Sequence, residues 1–420
     1  MNATVLLAPL LRRLVRVGRL TLIDAGGGVH RFGDGDANEP DVTIRLHDRS
    51  LHRRLAVRPE LVAGEAYMDG TLTVEDGSVY DFLDLIGRNA ARSGKTSVRV
   101  RASKARRLLR RVRQFNPATR ARRNVAHHYD LTGTLYELFL DTDRQYSCAY
   151  FCRPDDGLET AQEQKKRHIA AKLRLRPGMR VLDIGCGWGG LALYLAEHCG
   201  ADVTGITLSR EQLDVATARA AEHGLSDRVR FCLRDYRAET GTYDRVVSVG
   251  MFEHVGVNHY RTYFRTVNDR LADDGIALVH TIGRCEPPGG TNPWLQKYIF
   301  PGGYTPALSE VIAAIERTSL YTTDVEVLRL HYAATLRHWR ARFLKNRGAI
   351  AGLYDERFCR MWEFYLAACE ISFRYLRTVV FQIQLTRSQE ALPIVRDYMV
   401  DDERALLAAA DGDRRLGAAQ

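Results

Sequence analysis

The sequence predicts an α/β protein: a doubly wound, Rossmann-like domain with a mainly helical insertion, beside a smaller mixed α/β N-terminal domain. Three observations predict it. Residues 181–190 read V-L-D-I-G-C-G-W-G-G, a buried β run that breaks into a glycine turn just before an amphipathic helix. The next hundred residues repeat a strand–helix rhythm, the pattern of a parallel sheet covered on both faces. The chain has 420 residues, 45% apolar and 27% charged, enough for one large and one smaller core.

Taken in order, residues 1–87 read as the small N-terminal domain. Residues 19–23 and 42–46 are strand-like, Gly26-Gly27-Gly28 is a turn, 49–55 is helical, and 79–86 is a helix packing that domain. The stretch Gly64-Glu65-Ala66-Tyr67-Met68-Asp69-Gly70 carries no catalytic constellation. Ser93-Gly94 opens a basic amphipathic linker, 88–123. Residues 85–129 hold fourteen Lys or Arg and no Asp or Glu, against +10 for the whole chain, so the remainder is at −4. Ala105, Leu108, Leu109, Val112 and Phe115 recur at helical spacing among Arg106, Arg107, Arg110, Arg111 and Arg113. Such a helix suits an anionic membrane surface. No RNA-reading motif accompanies it, so nucleic acid is not the expected partner.

The catalytic region is expected over 124–390. His127 and His128 are adjacent, so on a helix they point about 100° apart and do not suggest a shared metal; no metal is expected. Residues 160–173 read as a helix with Gln164, Lys165 and Lys166 on its polar side, stopped by Pro177-Gly178. Strands are expected at 201–207, 229–233, 243–249 and 276–282, helices at 191–197, 209–223 and 259–271, and a final strand at 379–385. Between Pro287-Pro288-Gly289-Gly290 and about Tyr375 lies an aromatic, helical insertion, placed to cover a cofactor and form an acyl pocket; an aromatic stripe at helical spacing is more often simple core. Residues 391–420 form a charged tail.

In a doubly wound sheet, ligand contacts gather at the carboxyl ends of the strands. Gly185, Gly187 and Gly190 fit a dinucleotide turn as well as any other. Asp183 alters the expectation. A carboxylate beneath the turn repels a pyrophosphate and attracts a cationic amino group, which favours S-adenosylmethionine. The second strand lacks the acidic residue that commonly holds a ribose; Thr207 and Gln212 stand in for it. The eight cysteines are scattered without a C-x-x-C pair, which reads as reduced thiols. No apolar run approaches the roughly 18 residues of a membrane span. The short N-terminal apolar run is broken by Pro9 and followed by Arg12-Arg13, so a cytoplasmic, peripherally membrane-associated protein is expected.

The ordered segments His128-Tyr129-Asp130-Leu131, 146–151 (Y-S-C-A-Y-F), 181–190, 248–256 (S-V-G-M-F-E-H-V-G), 280–283 (H-T-I-G) and 297–304 (K-Y-I-F-P-G-G-Y) resemble the cyclopropane-fatty-acyl-phospholipid synthases and the related mycolic acid cyclopropane synthases. Residues 64–70 resemble the full-length phospholipid enzymes. The resemblance implies a class I methyltransferase domain that adds a methylene from S-adenosylmethionine across a cis double bond of a phospholipid acyl chain. It implies a carbocation whose proton is taken by a bound bicarbonate, held by Cys148, Glu253, His280, Ile282 and Tyr332. The cofactor contacts it implies are Tyr146, Ser147, Asp183, Gly185, Gly187, Thr207, Gln212, Asp235 and Tyr236. Methylene- or methyl-branched products, and a non-catalytic lipid- or cofactor-binding relative, are the alternatives; a homodimer is left open.

Overall fold

The computed structural model describes residues 4–35, 39–93 and 133–417, with backbone alone for 4–6 and 411–417. The basic amphipathic helix around Arg106–Arg113 and the motif at 127–131 lie outside the described residues. The described residues form two compact units. The first takes the chain up to 93 together with Gly289–Pro301 and Tyr332–Thr378; the second takes 133 to Pro288, Gly302–His331, and the chain from Val379 onward.

The first unit is built on a four-stranded sheet in the order β2-β1-β3-β4, with β1 Arg19–Ile23, β2 Val29–Phe32, β3 Asp41–Leu46 and β4 Leu72–Asp76. β1 pairs antiparallel with β2 through the glycine turn, where the Asp24 carboxylate accepts from the Gly26 and Gly28 amides. β2 and β4 go unseen in the sequence because they are short and largely exposed at the sheet edges, so few apolar residues mark them. The helix expected to end at 86 runs Val79–Arg92, opened by a Ser78–Asp81 capping box, because Gly87, Asn89 and Ala90 are buried too.

Segments 289–301 and 332–378, which sequence order assigns to the region 124–390, are core of this first unit. The helix Glu356–Tyr375 packs on Val79–Arg92 and on Pro59–Met68. Trp339, Phe343 and Trp362 are fully buried. Gly64 is explained here: a Cβ at that position would lie 2.4 Å from Trp294 Nε1. The indole N–H donates to Met68 Sδ, and Glu65 accepts from Lys297 and from the Tyr298 hydroxyl. Trp294, Trp339, Phe343 and Trp362 of the aromatic stripe are therefore packing, as burial of large rings favours.

The second unit holds a seven-stranded sheet in the order β10-β11-β9-β8-β5-β6-β7. The strands are β5 Arg180–Ile184, β6 Asp202–Thr207, β7 Val229–Leu233, β8 Tyr243–Val249, β9 Leu271–Arg284, β10 Tyr321–Leu328 and β11 Thr378–Thr386. β5 pairs parallel with both β6 and β8, β6 with β7, and β8 with β9. Adjacent residues such as Val181 and Leu182 fall in different apolar clusters, one on each face, as strand alternation requires. β10 corrects the sequence reading, which expects helix there. Its β-branched Thr322, Thr323, Val325 and Val327 favour a strand, and it closes antiparallel on β11. Among the described residues no helix is long and apolar enough to cross a membrane.

Candidate active site

The turn after β5 is built by three left-handed glycines, Gly185 at φ 86°, Gly187 at 55° and Gly189 at 85°. Gly189 is packed: a Cβ there would lie 2.7 Å from Phe231. Gly187 faces nothing within 4 Å, so this is where the backbone can be approached by a ligand. Gly190 opens the helix Gly190–Cys199, and its Cβ would strike the Asp143 carboxylate. Gly189, not Gly190, is therefore the third turning glycine. Asp183 is fully buried at the end of β5, and its Oδ2 has no hydrogen-bond partner among the described residues. Burial pushes its carboxyl up to about 7, with the Lys165 charge pulling the other way.

Lys165 is the largest departure from the sequence reading of the site. The helix Leu158–Leu173 buries Leu158, Ala161, Lys165, Ile169 and Lys172 on one stripe, so two lysines occupy positions that spacing assigns to the core. The sequence signal was present in that spacing, but the residue type masked it. Lys165 Nζ donates to Ser147 Oγ at 2.9 Å and to Gln145 Oε1 at 2.5 Å. Burial lowers its pKa to about 8 against the pull of Asp141. Its charge also acts on Asp183, Cys148 and His280, so one cation faces the ends of three segments far apart in sequence. Cys148 is fully buried, its thiol directed to the Ala149 carbonyl at 3.3 Å. Tyr146 packs edge-on against Tyr136 and Phe139.

At the ends of β8 and β9 the structure joins two more expected residues. Glu253 Oε1 accepts from the Ile282 amide at 2.5 Å, while Oε2 is buried with no hydrogen-bond partner among the described residues. Burial raises this carboxyl to about 7, and the Ile282 N–H, Glu253's own N–H and the Thr281 hydroxyl moderate the rise. The Ile282 amide is thereby committed to Glu253. His280 is buried, and Gln382 on β11 approaches its Nδ1 at 3.2 Å. Burial, with Lys165 and Lys172 adding to it, lowers His280 to about 3, so the ring is neutral. His254 is likewise lowered to about 4 by burial.

The remaining expected residues fall in three places. Thr207 Oγ1 donates to Gln212 Oε1 at 2.9 Å beyond β6, with Ser209 capping the helix Arg210–Glu222. Asp235 is clamped by Arg237 through two hydrogen bonds, and buried Tyr236 stands edge-on to Tyr263. Tyr332 lies in the first unit, buried against Trp339 and Phe373.

A mostly parallel sheet in which a strand ends in a buried aspartate, one oxygen of it without a hydrogen-bond partner among the described residues, beneath an open glycine turn fits the architecture of a class I, S-adenosylmethionine-dependent methyltransferase. Comparison with known proteins carries the assignment further. The family model described as mycolic acid cyclopropane synthetase matches residues 116–383, and the chain belongs to that family. It is 39% identical over 349 residues to the cyclopropane-fatty-acyl-phospholipid synthase of Escherichia coli K12, covering 83% of this chain and 88% of that one. It is 35% identical to the tuberculostearic acid methyltransferase UfaA1 of Mycobacterium tuberculosis, over 90% of both chains. Among solved structures, the mycolic acid cyclopropane synthase CmaA1 complexed with SAH and CTAB matches with a TM-score of 0.60 at 33% identity, covering 65% of this chain and 99% of that one. The protein is thus a methyltransferase that uses S-adenosylmethionine to modify lipid.

Proposed function

We propose that the enzyme forms a cyclopropane ring on the cis double bond of an unsaturated phospholipid acyl chain at an anionic membrane surface. The observation that carries this reading is Glu253: a buried carboxyl with one oxygen held by Ile282 and the other without a hydrogen-bond partner among the described residues, beside the strand end that bears neutral His280. Leaving such a group buried costs on the order of 1–3 kcal/mol unless something meets it. A small hydrogen-bonding anion such as bicarbonate, donating its own O–H to Glu253, fits that donor set together with Cys148 and His280.

The residues toward S-adenosylmethionine fit as well. Asp183 Oδ2 can accept from the amino group, Gly187 leaves room for close backbone approach, and Thr207 and Gln212, hydrogen-bonded to each other, are the residues that would hold the ribose. Tyr146, Ser147, Asp235 and Tyr236 complete the proposed cradle. When bound, S-adenosylmethionine supplies the electrophilic methyl, and bicarbonate supplies the base for the proton lost as the ring closes. Burial around Cys148, Glu253 and His280 excludes water, and orienting the alkene can supply about 7–11 kcal/mol of the barrier. The basic segment 85–129 is proposed to hold the enzyme against the lipid surface.

Incubation with labelled S-adenosylmethionine and vesicles of oleoyl phospholipid, followed by NMR of the product, tests the reading. A cyclopropyl proton signal is expected; absence of label from the acyl chain refutes the proposal. A methyl-branched product is the second reading, favoured by the similarity to UfaA1 over 90% of the chain. Its signature is label in the chain without the cyclopropyl signal.

A further inference from the structure

His280 has two nitrogens, and its surroundings decide which one carries the proton. Gln382 Nε2 lies 3.2 Å from His280 Nδ1, and on the other side of the same amide Lys172 Nζ donates to Gln382 Oε1 at 2.8 Å. An ammonium only donates, so the Gln382 atom facing Lys172 must be the oxygen. The atom facing His280 is therefore the NH2 group, which needs an acceptor. Nδ1 must offer its lone pair, and the ring proton sits on Nε2. The reverse arrangement would turn two donors toward one another inside a fully buried cluster.

Lys172 is itself fixed. It is paired with Glu326, which also receives His168 Nε2 at 2.7 Å, and Asp324 lies 3.9 Å away. The order of donation thus runs from the Lys172–Glu326 pair through Gln382 to His280 without a break.

We infer that Gln382, oriented by Lys172, is a positioning residue that holds His280 as the Nε2–H tautomer, so that the ring presents a hydrogen-bond donor to an anion in the site and does not serve as the base. The tautomer follows from donors and acceptors alone; its bearing on the reaction rests on the function proposed above. A ring locked this way resembles a preformed anion clamp, and forcing the other tautomer removes the donor while leaving the fold of the site in place.

The test reads the tautomer directly. Full-length protein labelled with 15N-histidine is examined by two-bond 1H–15N correlation, with His280→Gln identifying the His280 signals among the 13 histidines. The native protein is expected to give the Nε2–H pattern; an Nδ1–H pattern overturns the inference whatever Gln382→Glu shows. Gln382→Glu, whose carboxylate still pairs with Lys172 but accepts from the ring, is expected to place a proton on Nδ1. It should also lower kcat for methyl transfer to oleoyl phospholipid vesicles at least about 100-fold, with S-adenosylmethionine affinity within about 2-fold of native, as expected when a tautomer alone changes. An unchanged tautomer in Gln382→Glu, or a changed tautomer with native kcat, overturns it. If the native enzyme shows the Nε2–H pattern and Gln382→Glu shifts it, yet neither labels the vesicles, the proposed lipid reaction fails and the tautomer assignment stands.

Discussion

Two sets of buried or half-buried carboxylates lie in the second unit, and they differ in whether a cation is paired with them. Around Lys172 each carboxylate is paired with a cation: Glu326 with Lys172 and His168, Asp324 with Arg396, Glu403 with His168 and Arg167, although Asp324 Oδ2 and Arg167 Nε make no hydrogen bond among the described residues. Burial alone would raise Glu326, yet the His168 hydrogen bond and the Lys172 charge bring it down to about 2. Lys165 has neutral direct partners, Ser147 and Gln145, and its charge acts on Asp183; Asp183 there and Glu253 elsewhere in the unit each keep a buried oxygen with no hydrogen-bond partner and are in no ion pair among the described residues. A closed set of ion pairs serves the fold; a buried carboxylate left outside any is arranged for something that arrives from outside.

The comparison can be broken from either side. The largest effect is expected from Glu253→Gln, which keeps the shape but removes the acceptor proposed to receive an O–H: kcat should fall about 10³- to 10⁴-fold with S-adenosylmethionine binding preserved by calorimetry. Full activity would return Glu253 to the closed, structural kind. Lys172→Met strips the paired cluster of its central cation and should cost about 4 kcal/mol by urea denaturation; a loss under about 1 kcal/mol would mean the network is not what holds β10 to the helix.

Lys165 should make stability respond to pH. The unfolded chain keeps this proton to about 10.5, whereas the folded protein releases it near 8. Between those values the unfolded state binds more protons, so the contribution of Lys165 to stability rises with pH; below 8 its full penalty is present. The stability difference between native and Lys165→Met should therefore shift by about 3 kcal/mol in favour of native between pH 7.5 and 10.5. A pH-independent difference would show that Lys165 is not desolvated. The smallest effect belongs to the neighbouring Lys166, whose partner Asp143 is also held by Arg219. Lys166→Gln should cost about 0.5 kcal/mol.

How much of this was legible varies residue by residue. The run 181–190 gave strand, turn and helix start because β-branched and apolar residues, then glycines, leave few alternatives, and β5 to β9 followed from the same rhythm. Asp183 stood out as a carboxylate at a strand end, while Cys148, Glu253 and His280 were reached through the resemblance of the motifs that carry them. Lys165, Lys172 and Gln382 did not. A lysine at i+4 from Ala161 reads as solvated unless a hydroxyl and an amide from another segment are known to await it, and Gln382 in an apolar strand carries no mark of its contact with His280. β10 was hidden for a related reason: its Asp324 and Glu326 break the apolar pattern because they meet Lys172 and His168.

By itself, then, the sequence determined the α/β class, the cofactor turn with Asp183 at its foot, and the family to which the chain belongs, since these depend on local backbone preference and on short ordered motifs. Tertiary structure alone decided the rest. It placed residues 289–301 and 332–378 in the N-terminal unit, drew Glu253 onto the Ile282 amide, and set Lys165 and Lys172 in two different electrostatic settings. Those outcomes turn on which donor meets which acceptor once water is gone, and that pairing is made across separations that run from 18 residues for Lys165–Ser147 to 210 for Lys172–Gln382.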